Sequence, residues 1–312
     1  MRKSLFLVVV VALVLGTMLP AVVSAEEPKY TISLLTGTMD NPYWQIVTAW
    51  ADKAAEMLNV NLVKLAVDVE GVATQQISQF EDRVAQGDDA IVIAVQETKA
   101  LIPAIEAANK AGIPVIAVDK AAEGGKFESI IMTDNVAASY DGGKWVAEQI
   151  GGKGKVLVLE GVPGGQTAIE RKIGAHKALS EYPDIQIISL TGEWQTAKAQ
   201  AVTEDILTAN PDLAGIFASN DMMAIGAVTA LNAANINIPV CGFDAIPAAL
   251  EMVRDGRLGA TIAQFPGKMG FLGVEYAVRV LEGEKVPELV NSGSMPVTKD
   301  NVLAFQAGLY GY

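Results

Sequence analysis

From Tyr30 onward, short aliphatic and β-branched runs alternate with longer stretches of helical periodicity. The run YTISLLTG (30–37) leads into NPYWQIV, where Asn41 and Pro42 read as the N-cap and first residue of a helix. NLVKLAV (61–67), AIVIAV (90–95), PVIAVD (114–119), KVLVLEG (155–161), IQIISLTG (185–192), LAGIFASND (213–221), IPVCGFD (238–244) and GATIAQ (259–264) continue the series. Helical patterns such as QQISQFEDRVAQ and LIPAIEAANKAG fall between them. Several strands are apolar on both faces, which predicts parallel sheets covered by helices. The fold class is therefore α/β and doubly wound.

The alternation also repeats on a larger scale. Asp89 to Asp119 and Asp212 to Asp244 share one order: an acid, an apolar strand, a polar turn, a helix, an Asn, then IPV and a strand ending in Asp. This duplication predicts two similar lobes, each with its own sheet. Ligands of open α/β sheets bind beyond the carboxyl ends of the strands. Those ends carry Asp40, Asn41, Gln96, Glu97, Asp119, Lys120, Glu160, Asn220, Asp221 and Asp244, with Tyr43, Trp44 and Trp194 as nearby aromatics. Amides, carboxylates, a few cations and flat rings suit a neutral polyhydroxylated ligand. Its hydroxyls need donors and acceptors together, and its C–H face suits an aromatic plate.

Composition narrows the setting. The 312 residues are 51% apolar and 19% charged, enough for a large core. The net charge of −13 opposes nucleic-acid and anionic-membrane partners. Arg2 and Lys3 precede an apolar run from Leu5 to Leu15, with Ala25 at the end of a VSA triplet. This predicts a signal peptide over 1–25 and an exported, periplasmic chain starting at Glu26. The run is shorter than the roughly 20 apolar residues of a membrane span. Cys241 is the only cysteine, so there is neither a disulfide framework nor a cysteine for lipid attachment near the cleavage point; a buried strand position is expected for it.

Catalytic chemistry finds little support. His176 is the only histidine and lies in a helical run, where a surface position is expected. GVPGGQTA (161–168) follows a strand as a phosphate loop would, but lacks the Lys-Ser/Thr of that motif. No GxGxxG follows the first strand, and no DxDxDG calcium loop is present. No enzyme activity, cofactor or metal is expected.

The ordered set NPYW (41–44), IPVIAVDK (113–120), Arg171 in its helix, Trp194, ASND (218–221), GFD (242–244) and ATIAQFP (260–266) resembles the periplasmic sugar-binding proteins of ABC importers, ribose-binding type. The resemblance covers the whole mature chain. It implies two lobes joined by three crossings near 132–134, 264–266 and 294–297, with one lobe over 26–132 plus 266–294 and the other over 133–265 plus 295–312. It also implies a sugar site made of Asn41, Tyr43, Trp44, Asp119, Lys120, Arg171, Trp194, Asn220, Asp244 and Gln264. Asn41 would bond a hydroxyl, the aromatics would sandwich the ring, and Asp119 and Arg171 would bond hydroxyls or the ring oxygen. A monomer serving a membrane permease, and in some cases a chemoreceptor, is implied. Two departures bear on the ligand. Lys120 stands where the ribose type has arginine, and a Tyr-Trp pair replaces two phenylalanines, which is expected to change pocket width and add donors. Pentoses, hexoses and polyols all remain open. Two rival readings are a sugar-sensing repressor core, which would need an N-terminal DNA-binding helix pair, and an exported carbohydrate enzyme, which lacks a GxSxG elbow.

Overall fold

A computed structural model describes residues 27–308; the expected signal peptide and the last four residues lie outside them. The first lobe opens with β1 (Tyr30–Thr36), α1 (Pro42–Leu58), β2 (Val60–Ala66), α2 (Ala73–Gln86), β3 (Ala90–Ile93), α3 (Ile102–Ala111), β4 (Val115–Val118) and β5 (Ser129–Met132). The second follows with α4 (Asn135–Gln149), β6 (Lys153–Glu160), α5 (Gln166–Leu179), β7 (Asp184–Thr191), α6 (Thr196–Ala209), β8 (Leu213–Ala218), α7 (Asp221–Ala233), β9 (Val240–Asp244), α8 (Pro247–Arg254) and β10 (Ala260–Gln264). The chain then returns through α9 (Pro266–Leu281) and β11 (Leu289–Asn291), and crosses again to β12 (Ser294–Thr298) and α10 (Val302–Gln306).

The two sheets have the orders β11-β5-β4-β3-β1-β2 and β12-β10-β9-β8-β6-β7. Counted within each lobe, both are the doubly wound order 2-1-3-4-5 with one added edge strand. The repeat seen in the sequence is thus structural: β3-α3-β4 and β8-α7-β9 hold the same places. All pairings are parallel except β12, which runs antiparallel to β10. Helices α1 and α9 cover one face of the first sheet, and α2 and α3 the other. The core strands read Val-Ile-Ala-Val or Ala-Ile-Val-Ile and are fully buried, as continuous apolar runs in two-sided sheets should be.

The chain passes between the sheets at three places: after β5, after β10 and after β11. Ser294 already pairs with Gln264 in the second sheet, so the last passage falls at Ser292–Gly293 rather than in the segment 294–297. No helix among the described residues is long and apolar enough to cross a membrane.

Candidate functional site

Where β1 turns into α1, the local chemistry is that of a well-capped helix. Asn41 Oδ1 accepts from Tyr43 N at 3.0 Å, and Pro42 fills the first helical position, where no N–H is needed. This fixes Tyr43 and Trp44 in the first turn, edge to face at 4.9 Å and 82°. Both are almost fully buried, yet both border a cleft between the lobes. All ten residues that the resemblance implies line this cleft, together with Glu70 and Thr167, whereas the strand-end residues Asp40, Gln96, Glu97, Glu160 and Asp221 do not.

Each lobe contributes an indole in a parallel way. Gly37 directly follows β1 and Gly161 directly follows β6, and a Cβ at either glycine would overlap the ring of Trp44 or Trp194 respectively. Only glycine lets these rings lie against the backbone there. Trp194 itself is held in left-handed backbone at φ 65°.

The repeat also places two aspartates. Asp119 and Asp244 lie at the ends of β4 and β9, both with positive φ, 63° and 109°. Non-glycine residues rarely adopt such backbone, and its persistence here points to a functional constraint. Neither caps a helix: α4 is capped by Asp134, and α8 starts after Ile246 with no side-chain cap. Asp119 Oδ1 accepts from Tyr43 Oη at 2.7 Å. Asp244 Oδ1 accepts from Gln264 Nε2 at 2.7 Å and from Arg171 Nη1 at 3.2 Å. Among the described residues nothing reaches Oδ2 of either aspartate.

Arg171 is buried, not paired with a surface acid. It also donates through Nε to Asn135 Oδ1 at 2.9 Å and through Nη1 to Ser219 O at 2.7 Å. Its guanidinium lies 3.7 Å from the Phe243 ring centre, a stacked arrangement suited to a delocalised cation. No described residue accepts from Nη2. Gln264 is buried too, not a solvated strand end; Asn220 caps α7 through Met223 N at 2.9 Å while lining the cleft. Glu97 holds a turn by accepting from the backbone of Lys99 and Ala100, outside the cleft.

Burial pushes Asp244 up to about 6, with Asp119 adding to the shift and Arg171 opposing it. Burial likewise raises Asp119, against the pull of Lys120 and Arg171. Burial, then Asp119, raises Tyr43 well above the ordinary phenol value, so it stays a neutral donor.

Two expectations need correction. The Tyr-Trp pair does not add free donors, because Tyr43 Oη is committed to Asp119 and Trp44 Nε1 to Glu70. Lys120 is not an open substitute for arginine, since its Nζ sits 3.3 Å from Glu70 Oε2. Glu70 and Thr167 escaped the sequence reading. Glu70 follows β2, a strand end from which no residue was named; Thr167 lies in GVPGGQTA, a loop weighed only for phosphates. His176 is half-buried in α5, its Nε2 2.9 Å from Ser189 Oγ, and Cys241 is buried in β9. Among the described residues no His, Cys, Asp and Glu cluster could hold a metal.

The family of periplasmic binding protein domains matches residues 32–285. The chain is 37% identical to the ribose import binding protein of Escherichia coli K12 over 88% of its own length and 93% of that protein's. It is 33% identical to the ribose import binding protein of Bacillus subtilis, over 86% and 87%. An ABC transporter periplasmic solute-binding protein from Actinobacillus succinogenes, crystallised with D-allose, superposes with a TM-score of 0.85 at 37% identity, over 88% of this chain and all of that one. The bilobal fold, the duplicated strand ends and the shared sequence place the chain in the periplasmic binding protein family, among the sugar-binding members of ABC importers.

Proposed function

We propose that the chain captures an uncharged monosaccharide between its lobes and delivers it to the membrane permease of an ABC importer. The observation that carries this is the pair Asp119 and Asp244. They come from equivalent strand ends of opposite lobes, and each leaves an acceptor oxygen unpaired beside a cleft walled by Trp44 and Trp194. A sugar hydroxyl can donate to such an oxygen while accepting from Arg171 Nη2, Asn41 Nδ2 or Lys120 Nζ. Indole faces cover the ring's C–H surface. Because the partners come from both lobes, the ligand favours the closed arrangement by its differential affinity. Relatives with ribose or allose in their names support a pentose or hexose. In this reading the segment 1–25 exports the chain as a periplasmic monomer, the lobes divide near 132–134, 264–266 and 292–293, and a chemoreceptor is a further partner of the closed form. The protein binds without converting its ligand.

The test is a calorimetric and thermal-shift panel of pentoses, hexoses and polyols on the mature protein. A micromolar sugar, about 8 kcal/mol of binding, is expected. Failure of every neutral sugar to bind, or product formation seen by mass spectrometry, would refute the proposal.

A further inference from the structure

Glu70 stands where three parts of the first lobe meet. Its Oε1 accepts from Trp44 Nε1 in α1 and, at 3.2 Å, from Thr38 N in the β1–α1 turn. Its Oε2 lies 3.3 Å from Lys120 Nζ, beyond β4. Gly37 is what permits this, because a Cβ there would overlap Glu70 Oε1 as well as the indole. The ion pair is largely withdrawn from water, its side chains only 14% and 11% exposed. Lys120 Nζ is also 5.1 Å from the centre of the Trp44 ring. One carboxylate therefore fixes the indole wall and the ammonium together.

The charges lining the cleft then become decisive. Glu70, Asp119 and Asp244 face Lys120 and Arg171, three carboxylates to two cations. Arg171 is paired with Asp244 and Lys120 with Glu70, so the charge of each cation is already balanced before a ligand carboxylate could enter. Without Glu70, Lys120 would have no ion-pair partner and only the longer-range attraction of Asp119, which leaves a seat for an acidic sugar beside Trp44. We infer that Glu70 is the residue that sets the ligand's charge class: by holding Lys120 it admits an uncharged sugar and excludes the corresponding sugar acid. This rests on the sugar-binding reading and adds the selection rule to it. Specificity here comes from the repulsive element as much as the attractive one.

The test compares D-ribose and D-allose with D-glucuronate and D-galacturonate by calorimetry on the mature protein. Wild type should bind a neutral sugar and neither uronate. Glu70→Gln should lose about ten-fold for the neutral sugar and gain at least about ten-fold for a uronate, the scale of one partly buried charge interaction. Glu70→Asp, which keeps the charge, should still exclude uronates. Adding Lys120→Gln to Glu70→Gln should erase the gain, which a merely structural role for Glu70 would not predict. A Glu70→Gln protein that binds the neutral sugar without any uronate gain would overturn the inference and leave the sugar reading standing. A wild type that binds no neutral sugar overturns both. Should Glu70→Gln fail to fold, Glu70→Asn, which also removes the charge, carries the same test: a folded Glu70→Asn protein that binds the neutral sugar without any uronate gain would overturn the inference.

Discussion

Thr133 Oγ1 donates to Gln264 Oε1 at 2.9 Å, joining two of the three passages between the sheets. A hydroxyl has one proton, so the 2.9 Å contact between Thr133 Oγ1 and Ser292 Oγ must be donated by Ser292, at the third passage. Gln264 in turn donates to Asp244. A short chain of hydrogen bonds thus ties all three crossings to a carboxylate in the cleft. Each bond is modest alone, but the chain links the hinge to the site.

Replacing Thr133 with Val keeps the shape and removes the hydroxyl. Gln264 Oε1 and Ser292 Oγ each lose a partner, so the unliganded protein should lose about 1–2 kcal/mol in urea unfolding. Sugar affinity should also fall, because Gln264 no longer holds Asp244 in place. Equal affinity and stability in Thr133→Val and wild type would rule out the hinge connection.

Asp119→Asn should separate binding from folding. The amide can still accept from Tyr43 Oη, and a buried carboxyl with a raised pKa is replaced by a neutral group. The unliganded Asp119→Asn protein should melt no lower than wild type. Sugar affinity should fall by about 2 kcal/mol, roughly thirty-fold, for the lost charge-assisted bonds. A large drop in melting temperature with retained affinity would mean that Asp119 is a structural residue.

The pH dependence follows from Asp244. Its folded pKa, about 6, lies above the ordinary 3.8, so between these values the folded chain holds a proton that the unfolded chain has released. Stability of the unliganded protein should therefore fall as pH rises from about 4 to about 6, by about 3 kcal/mol, and level off above. The difference between wild type and Asp244→Asn isolates this contribution. Sugar binding should show the opposite trend, weakening below pH 6 as the acceptor is protonated, with proton release on binding near pH 5.5 by calorimetry in buffers of different ionisation enthalpy. If the stability difference between wild type and Asp244→Asn stays flat across this pH range, the assignment is refuted.

Trp44 belongs to both core and cleft. It is 2% exposed within the main hydrophobic cluster and also borders the cavity. Trp44→Ala should cost about 3–5 kcal/mol of stability and abolish measurable sugar affinity. Retained affinity with only the stability loss would remove it from the pocket wall.

Gly161→Ala tests the other wall with a milder change. The new methyl group must displace the Trp194 ring, so sugar affinity should drop at least about ten-fold while the melting temperature changes by only a few degrees. Unchanged binding would show that Trp194 can shift without consequence.

The sequence alone determined the α/β class, the nine strands it marked, the duplicated unit and the strand ends where ligand chemistry gathers. These are consequences of local rules: two-sided burial leaves continuous apolar runs, and the cap at Asn41–Pro42 depends on neighbours in the chain. The strand β5 and the edge strands β11 and β12 were not marked, because short half-exposed segments carry little periodicity. The ten candidate residues were reached through strand ends and family resemblance, and folding brings all of them to one cleft. What only the tertiary structure decided is how their polar atoms are committed. That Trp44 and Lys120 are both held by Glu70, fifty residues from the lysine, and that Thr133, Gln264 and Ser292 meet at the hinge, depends on pairings between distant segments. A side chain's free donors and acceptors are what remains after such pairings, and a one-dimensional pattern holds no record of them.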